Sequence, residues 1–462
     1  MPASMSYGPD DERFRRVRVP APLLKRRLPS GRGATEQPNI TGDGDAPLTV
    51  RFWAAIVLVG LAAGLLGDLM MMILFGVQDL AFGTGSGDFQ SHVERASGAH
   101  RVIVLAIAGA VAGPAWYALR RWTAGELTEV DEVVWTGTGR LSPRRAFLSG
   151  VISEVVIGMG ASIGREAAPK ALGGLSAELA SGWFRLGPGQ RKLLMACGAG
   201  AGLAAVYNVP LGGALFATEL MLGTVTLPCV LPALACSVIA TGVSWVYLPD
   251  HPAYADIPNY RFTISILIFA LVAGPIVGAL ASAYIRLIGW VSHHRLEGRL
   301  LIGGPLLAFT VLGLIGVAYP QLFGNGKDMA HRAFLGYGSA WLLLALFALK
   351  PLVTALCLGS GAQGGLLTPF MSTGAALGAL GGVVWSMPWP GTPVGAFALV
   401  GAAAMLGSSI QAPLTGLVLV VELTNSGLAL TVPIITATFM ATWIARQIDG
   451  YSIYSSRLPG HH

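Results

Sequence analysis

The sequence predicts an all-α polytopic membrane protein made of two inverted pseudo-repeats with discontinuous, tilted helices. Three observations support this prediction: an apolar composition, hydrophobic segments that stop part-way, and an internal repeat. Of the 462 residues, 53% are hydrophobic and only 12% are charged, whereas about a quarter of the residues in an ordinary soluble domain are charged. The 62 glycines lie mainly within apolar runs, where small residues allow helices to pack closely in lipid.

The first 48 residues differ from the rest of the chain. They are polar and carry a basic cluster between Arg13 and Arg27, which predicts a disordered tail. Lys and Arg near the first span favour the cytoplasmic side, and Arg120 and Arg121, after the second hydrophobic segment, fall on that same side. The net charge of +6 therefore indicates membrane orientation and does not indicate a nucleic-acid partner. The cluster lies too far from the first hydrophobic segment to form a cleavable signal peptide.

The hydrophobic segments then form two groups. We predict a first transmembrane repeat at residues 49–248, a polar linker loop at 249–262 and a second transmembrane repeat at 263–462. Several segments are shorter than the roughly 20 residues that cross a bilayer, and two apolar runs are interrupted at 207–210 and 410–413. The free backbone groups of such helices require protein partners or a water-lined cavity, so the sequence predicts an interior site.

The two interruptions belong to copies of one segment. Residues 198–221 match residues 401–424 at a constant offset of 203, and GREAAP at 164–169 matches GGLLTP at 364–369 at an offset of 200. About five hydrophobic segments separate the copies, and an odd number inverts the second half; duplication of this kind is typical of transporters. The residues identical in the longer match include Pro210/Pro413, Leu211/Leu414, Gly213/Gly416, Glu219/Glu422 and Leu220/Leu423.

The charged residues Arg165 and Glu166 stand in apolar sequence, where an ionisable side chain is costly and marks a functional site. GREAAP and GGLLTP each precede a helix-compatible run, and Thr123-Ala124-Gly125-Glu126 has the T-x-x-E form of a capping box. These are three candidate helix N-termini, whose free N–H groups bind anions. A cation site would require several carboxylates or exposed carbonyl groups, so we predict that the substrate is an anion.

These motifs resemble those of the CLC chloride channels and proton/chloride antiporters. Gly164-Arg165-Glu166 is similar to the GREGP motif of that family, and Gly365 to Pro369 is similar to its GxFxP motif. Tyr454 resembles its anion-coordinating tyrosine. We place the GSGIP motif at Thr123–Gly125, because the alternative at Gly137–Gly139 lies only 28 residues before Glu166. The resemblance extends over residues 52–458.

The resemblance implies that Glu166 is the gate: its carboxylate occupies the position of the anion and moves away when it is protonated. It also implies a central anion held by backbone N–H groups and by hydroxyl groups. The implied anion-binding positions are Thr123, Ala124, Leu366, Leu367 and Tyr454, and the supporting motif residues are Gly125, Gly164, Arg165 and Gly365.

The chain departs from the family pattern at three places. GREAAP has one more residue before its proline than GREGP, and the anion-coordinating serine of the family falls at Thr123 or Ala124. In Glu219-Leu220 the second residue replaces the acid that relays protons in well-known bacterial antiporters. Because leucine carries no proton, either water delivers protons to Glu166 or proton coupling is lost. We interpret Glu219 and its repeat mate Glu422 as structural residues.

The function predicted from these features is transport of chloride or a similar small anion, such as nitrate or fluoride, and not enzyme catalysis. We favour proton/chloride antiport, with a passive chloride channel as the alternative. No HExxH or GxSxG motif occurs, and the four cysteines are isolated, so we expect bound chloride but no cofactor or metal. The resemblance implies a homodimer that meets at residues 211–248 and 412–445. We expect it in the bacterial inner membrane with both termini cytoplasmic.

Overall fold

A computed structural model describes residues 48–458, except for residues 85–86, 125–128, 138, 255 and 427. All described residues lie in one compact unit, residues 36–462. The tail predicted at residues 1–48 falls outside the described part, apart from its last residue, and so does Gly125.

The first half of the described chain is helical throughout. Several helices begin after a Ser or Thr whose side chain accepts a backbone N–H of the first turn, as Ser97 does from His100 at 3.2 Å; such caps satisfy a free amide. The helices are α1 (Val50–Phe82), α2 (Phe89–Arg95), α3 (Gly98–Trp122), α4 (Val130–Thr136), α5 (Pro143–Gly158), α6 (Ala167–Trp183), α7 (Pro188–Tyr207), α8 (Pro210–Leu215), which continues as a π-helical segment (Phe216–Leu222), and α9 (Leu227–Ser244).

The second half is built in the same way. Short 3-10 turns occur at Pro320–Leu322, Leu428–Leu430 and Ser455–Arg457. The helices are α10 (Ile264–His293), α11 (Leu300–Ala318), α12 (Lys327–Phe334), α13 (Ala340–Gly359), α14 (Leu367–Trp385), α15 (Val394–Ile410), α16 (Pro413–Thr424) and α17 (Thr431–Ile448). Within the described ranges no strand occurs, and eight helices are long and apolar enough to cross a membrane. The all-α membrane fold is therefore confirmed.

The helices show the predicted duplication. With α2 set aside, α1 and α3–α9 correspond in order to α10–α17, and each half opens with a long helix of 33 or 30 residues. Helices α6 and α14 begin 200 residues apart, at Ala167 and Leu367, and α8 and α16 begin 203 residues apart, at Pro210 and Pro413. Both offsets are those found in the sequence.

Both predicted interruptions are confirmed. Helices α7 and α15 end at residues with left-handed backbone conformation, Asn208 (φ 56°) and Gln411 (φ 57°). Pro210 and Pro413 then occupy the first position of the next helices, where the missing N–H of proline costs nothing. Each half therefore contains a helix that stops and restarts inside the protein.

Small residues bring the helices of each half close together. A methyl group on Gly173 of α6 would overlap the backbone of Gly198 in α7, and one on Gly401 of α15 would overlap the backbone of Gly378 in α14. The same helix pair in each repeat thus crosses at a glycine contact. This close approach explains why glycine is so frequent in the apolar segments.

Glu219 and Glu422 join the two repeats reciprocally. Each carboxylate lies at the beginning of the half-helix of the other repeat, where backbone N–H groups lack partners within the helix. The N–H donors, 2.6–3.1 Å away, are Leu414 and Thr415 for Glu219, and Leu211 and Gly212 for Glu422. These bonds support the structural role that the sequence predicts for both residues.

The prediction that Thr123 opens a helix is wrong. Thr123 follows the last residue of α3, and its hydroxyl group donates to the carbonyl oxygen of Leu119 at 2.7 Å. Ala124 is exposed, and α4 begins only at Val130, directly after Glu129. A threonine hydroxyl can bond to a carbonyl four residues earlier as readily as it caps an N-terminus, so the T-x-x-E pattern did not distinguish the two ends.

We predict that Glu422→Ala lowers the stability of the fold. Removing the carboxylate leaves the first amides of α8 without a charged acceptor, and hydrogen bonds to charged groups contribute about 1.5–3 kcal/mol. Thermal unfolding of the purified protein in detergent measures the effect as a lower melting temperature. Glu297→Ala is the control, because the Glu297 side chain is 68% exposed and its ion-pair partner, Arg295, is also exposed. Equal melting temperatures for Glu422→Ala and the wild type would contradict the prediction.

Candidate anion site and gate

The GREAAP and GGLLTP segments meet at a short backbone bridge. Gly164 and Gly365 each donate an N–H to the carbonyl oxygen of the other at 2.7 Å, in an antiparallel arrangement. Equivalent segments of the two repeats therefore run in opposite directions here, as an inverted repeat requires. Helices α6 and α14 begin directly after this bridge, so two positively polarised N-termini lie beside each other.

Glu166 is the residue directly before α6. Its side chain is buried, with 1% of the residue exposed. Its Oε1 accepts the N–H of Leu367, the first residue of α14, at 2.6 Å. The carboxylate of the first repeat therefore occupies the helix N-terminus of the second. Leu366 holds the equivalent position before α14, and it carries no charge. The Leu367 amide is one of the two backbone groups predicted to bind the anion.

The bridging glycines leave room for this carboxylate. A methyl group on Gly164 or on Gly365 would overlap the carboxylate oxygens of Glu166. A side chain at either position would therefore displace the Glu166 carboxylate from this place.

Tyr207 and Thr368 form a hydroxyl pair that sequence analysis did not identify. The Tyr207 hydroxyl lies 3.2 Å from Oε2 of Glu166 and 2.7 Å from Oγ1 of Thr368. A hydroxyl group both donates and accepts. Tyr207 can therefore donate to a charged Glu166, or accept from a protonated Glu166 while it donates to Thr368. The pair gives the gate a hydrogen-bond partner in both protonation states.

Arg165 contacts the Tyr207 ring of this pair. Its guanidinium group lies 4.9 Å from the centroid of the Tyr207 ring and 5.9 Å from that of Phe75. It also donates to the carbonyl oxygen of Val206 at 3.4 Å. Cation–π contacts of this kind stabilise both partners, so Arg165 fixes the ring whose hydroxyl group contacts the gate.

A cavity of about 50 Å³ adjoins the gate. A water molecule needs only about 10–15 Å³, so the cavity has room for a small anion or a few waters. Tyr454, which is 7% exposed, lines it together with Leu366. Sequence analysis missed the other charged groups on its wall, although Lys170 directly follows GREAAP; they are Glu129, Lys170 and Arg457.

Some predicted site residues lie elsewhere. Thr123 and Ala124 do not line the cavity, and the start of α4, at Glu129 and Val130, takes their place. Leu220 is 2% exposed and packs in the core. Glu219 bonds to the start of α16. The cavity wall therefore includes neither Leu220, which replaces the proton-relaying acid of the family, nor its neighbour Glu219.

Comparisons with known proteins agree with this geometry. A family model described as voltage gated chloride channel matches residues 108–446. The chain is 32% identical over 346 residues to the H(+)/Cl(-) exchange transporter ClcA of Yersinia pestis bv. Antiqua (strain Angola), and the match covers 72% of this chain and 70% of that protein. The chain belongs to the CLC family. The membership predicted from the motifs is confirmed.

Solved structures of CLC proteins share the fold. A slow cyanobacterial Cl−/H+ antiporter is similar with a TM-score of 0.77 and 21% identity, over 88% of this chain and 97% of that one. A CLC-type fluoride/proton antiporter is similar with a TM-score of 0.68 and 21% identity, over the same shares of the two chains. These neighbours confirm the two-repeat CLC architecture for this protein.

Replacement of Tyr207 by phenylalanine tests the contact with the gate. The charged carboxylate loses a charge-assisted hydrogen bond, which is stronger than the neutral bond lost by the acid. Protonation then requires a lower proton concentration. We expect the pH midpoint of chloride flux through proteoliposomes to rise by about one unit, since a pH unit corresponds to roughly 1.4 kcal/mol.

Tyr260→Phe is the matched control. Tyr260 is equally buried, and its hydroxyl group donates to the Phe334 carbonyl oxygen at 2.6 Å, away from the gate. An unchanged midpoint in Tyr207→Phe, or an equal shift in Tyr260→Phe, would show that the Tyr207 hydroxyl does not act on Glu166.

Proposed function

We propose that this CLC protein exchanges chloride for protons across the membrane, with Glu166 as the gate. The observation that carries the proposal is the bond between Oε1 of Glu166 and the Leu367 amide, at 2.6 Å. A carboxylate there occupies the place where a helix N-terminus would hold an anion. The relatives named above are a proton/chloride exchange transporter and a Cl−/H+ antiporter, and these names agree with the proposal.

Coupling follows from competition for one site. A charged carboxylate and a chloride ion both bind the same positively polarised N–H groups, so only one of them is present at a time. Protonation removes the charge of Glu166 and weakens its bond to the Leu367 amide. The neutral side chain then moves away, and chloride enters. Each anion that passes thus depends on a proton bound to Glu166.

The anion contacts come from the second repeat. We assign them to the backbone N–H groups of Leu366 and Leu367 and to the hydroxyl group of Tyr454. Thr123 and Ala124 are left out, because the Thr123 hydroxyl is bonded to Leu119 and neither residue lines the cavity. Amides and a hydroxyl hold chloride weakly enough to release it, as conduction requires.

The protein is proposed to act as a homodimer in the bacterial inner membrane, with both termini cytoplasmic and one pore per subunit. The predicted interface at 211–248 and 412–445 carries exposed apolar side chains, including Leu227 (68% exposed) and Val432 (57%). An apolar surface of this kind is stable only against lipid or another subunit. Single-molecule photobleaching of labelled protein in liposomes tests the dimer through the fraction of two-step traces.

A passive chloride channel is the second candidate, and Leu220 is the observation that favours it. Proteoliposomes loaded with chloride and diluted into low chloride distinguish the two. An exchanger moves protons against their gradient while chloride leaves, and a dye inside the vesicles reports the change of pH. Chloride efflux without proton movement would select the channel.

We predict that Glu166→Gln reduces proton movement to background and makes chloride flux independent of pH. Glutamine has nearly the shape of protonated glutamate, but it has no titrating group and no negative charge to compete with chloride. Flux measured between pH 4.5 and 7.5 checks this, with Glu297→Gln as a control at an exposed loop position. Retained pH dependence in Glu166→Gln would assign the gate to another residue.

A further inference from the structure

A buried ion pair stands next to the gate. Lys170 lies one turn after Glu166 on α6, and its N–H donates to the Glu166 carbonyl oxygen at 3.1 Å. Its Nζ lies 2.5 Å from Oδ2 of Asp131 on α4, and the two side chains are only 6% and 4% exposed. Removing two charges from water is costly and often brings no net stability, so the pair is a candidate for a functional role.

One member of the pair, Lys170, lines the cavity, and the other, Asp131, has an oxygen without a hydrogen-bond donor in the part of the chain that the structure describes. Lys170 lines the cavity, and its Nζ lies 4.4 Å from the ring centroid of Tyr454, the proposed anion ligand. Oδ1 of Asp131 is buried and has no hydrogen-bond partner among the described residues. A buried carboxylate oxygen without a donor favours the protonated form. Asp131 is therefore a group that can take up a proton next to the anion path.

Few other charges face Asp131. Glu129 precedes α4 and lies 3.7 Å from Arg457 of the C-terminal turn. On the elements packed against α4, Glu219 is bonded to the start of α16, and Arg191 of α7 is paired with Glu178. The remaining charge of α7 is Lys192. Among the described residues, Lys170 is the cation that hydrogen-bonds Asp131.

We propose that the Lys170–Asp131 pair binds a proton and an anion together, and so provides the proton-accepting step that Leu220 cannot. This inference rests on the proposed exchange function. In the empty state the two charges neutralise each other. A proton on Asp131 makes the carboxyl group neutral and leaves the charge of Lys170 free to attract chloride into the cavity. The pair gains one positive and one negative charge, so its net charge stays at zero.

The proton can travel through Lys170. The ammonium group gives one proton to Asp131 and receives one from the bulk solution, relayed by water in the cavity, so the proton number of Lys170 does not change. The reverse transfer returns the proton to the cavity, which Glu166 also lines. The Glu166 carboxylate accepts it there. Chloride near Lys170 repels the charged form of Asp131, so occupancy by the anion favours uptake of the proton.

Glu154 is the other buried acid close to the gate. It is fully buried in α5, and neither of its carboxylate oxygens has a partner within the described part of the chain. It does not line the cavity, and no cation is hydrogen-bonded to it there. Asp131 is therefore the better candidate for the proton acceptor beside the cavity. The substitution Glu154→Gln, used below, distinguishes Asp131 from Glu154.

Calorimetry of chloride binding tests the proton uptake directly. Titrating the purified full chain with chloride in two buffers of different ionisation enthalpy gives the number of protons bound per chloride. In the Glu166→Gln background the gate no longer titrates, and we expect proton uptake to persist. Adding Asp131→Asn should reduce that remaining uptake at least fivefold, whereas adding Glu154→Gln, or the control Glu132→Gln on α4, should leave it in place. Uptake that survives Asp131→Asn, or that disappears with Glu154→Gln, overturns the proposal.

Flux assays distinguish a failure of this inference from a failure of the exchange function. In proteoliposomes we expect Asp131→Asn alone to slow proton movement at least tenfold and chloride movement less than threefold. A wild-type protein that moves no protons against a gradient would reject the exchange function itself. A coupled wild type with equally coupled Asp131→Asn would reject only the role of the pair.

The double variant Asp131→Leu/Lys170→Met tests the anion half of the proposal. Apolar residues in place of a buried ion pair usually preserve the fold, and an unchanged melting temperature checks this. We expect its chloride Kd to rise at least tenfold. A folded double variant with the chloride Kd of the wild type would show that Lys170 does not attract the anion.

Discussion

The contact between the Glu166 carboxylate and the Leu367 amide is the interaction on which the rest of the site depends. It places a removable negative charge at the N-terminus of α14, where a chloride ion would otherwise bind. The glycines of the backbone bridge are needed because any larger side chain would displace this carboxylate. A single hydrogen bond of 2.6 Å thus connects the backbone geometry of the two repeats to the competition that would couple protons to anions.

The duplicated architecture brings two helix N-termini together, and the proposed function arises where the copies differ. Glu219 and Glu422 preserve the symmetry, because each carboxylate binds the amides of the other repeat. At the gate the symmetry is broken: Glu166 precedes α6, and its equivalent Leu366 precedes α14. With a charge at only one of the two ends, one carboxylate competes with the anion. When that carboxylate moves away, the amides at the start of α14 are left to bind the anion.

A buried carboxylate needs partners, and the protein supplies them from helices distant in sequence. On one side Tyr207 contacts Glu166 and Thr368, so the gate is hydrogen-bonded whether charged or neutral. On the cavity side, the Lys170–Asp131 ion pair places a cation one turn from the gate. Both arrangements offset the cost of burying a charge. In both arrangements, the side chains that contact the site can change their hydrogen-bond partners when the site gains or loses a proton.

The sequence by itself determined the membrane fold, the duplication, the helix interruptions and Glu166 as the charged gate candidate. These features depend on local patterns: apolar content, proline and glycine at helix ends, and a repeated spacing. It misplaced Thr123, because a T-x-x-E pattern does not reveal which helix end it joins. Only the tertiary structure decided that Tyr207 meets Thr368 across 161 residues and that Asp131 meets Lys170 across 39. Such contacts depend on how helices pack, and packing brings together side chains whose spacing along the chain carries no period.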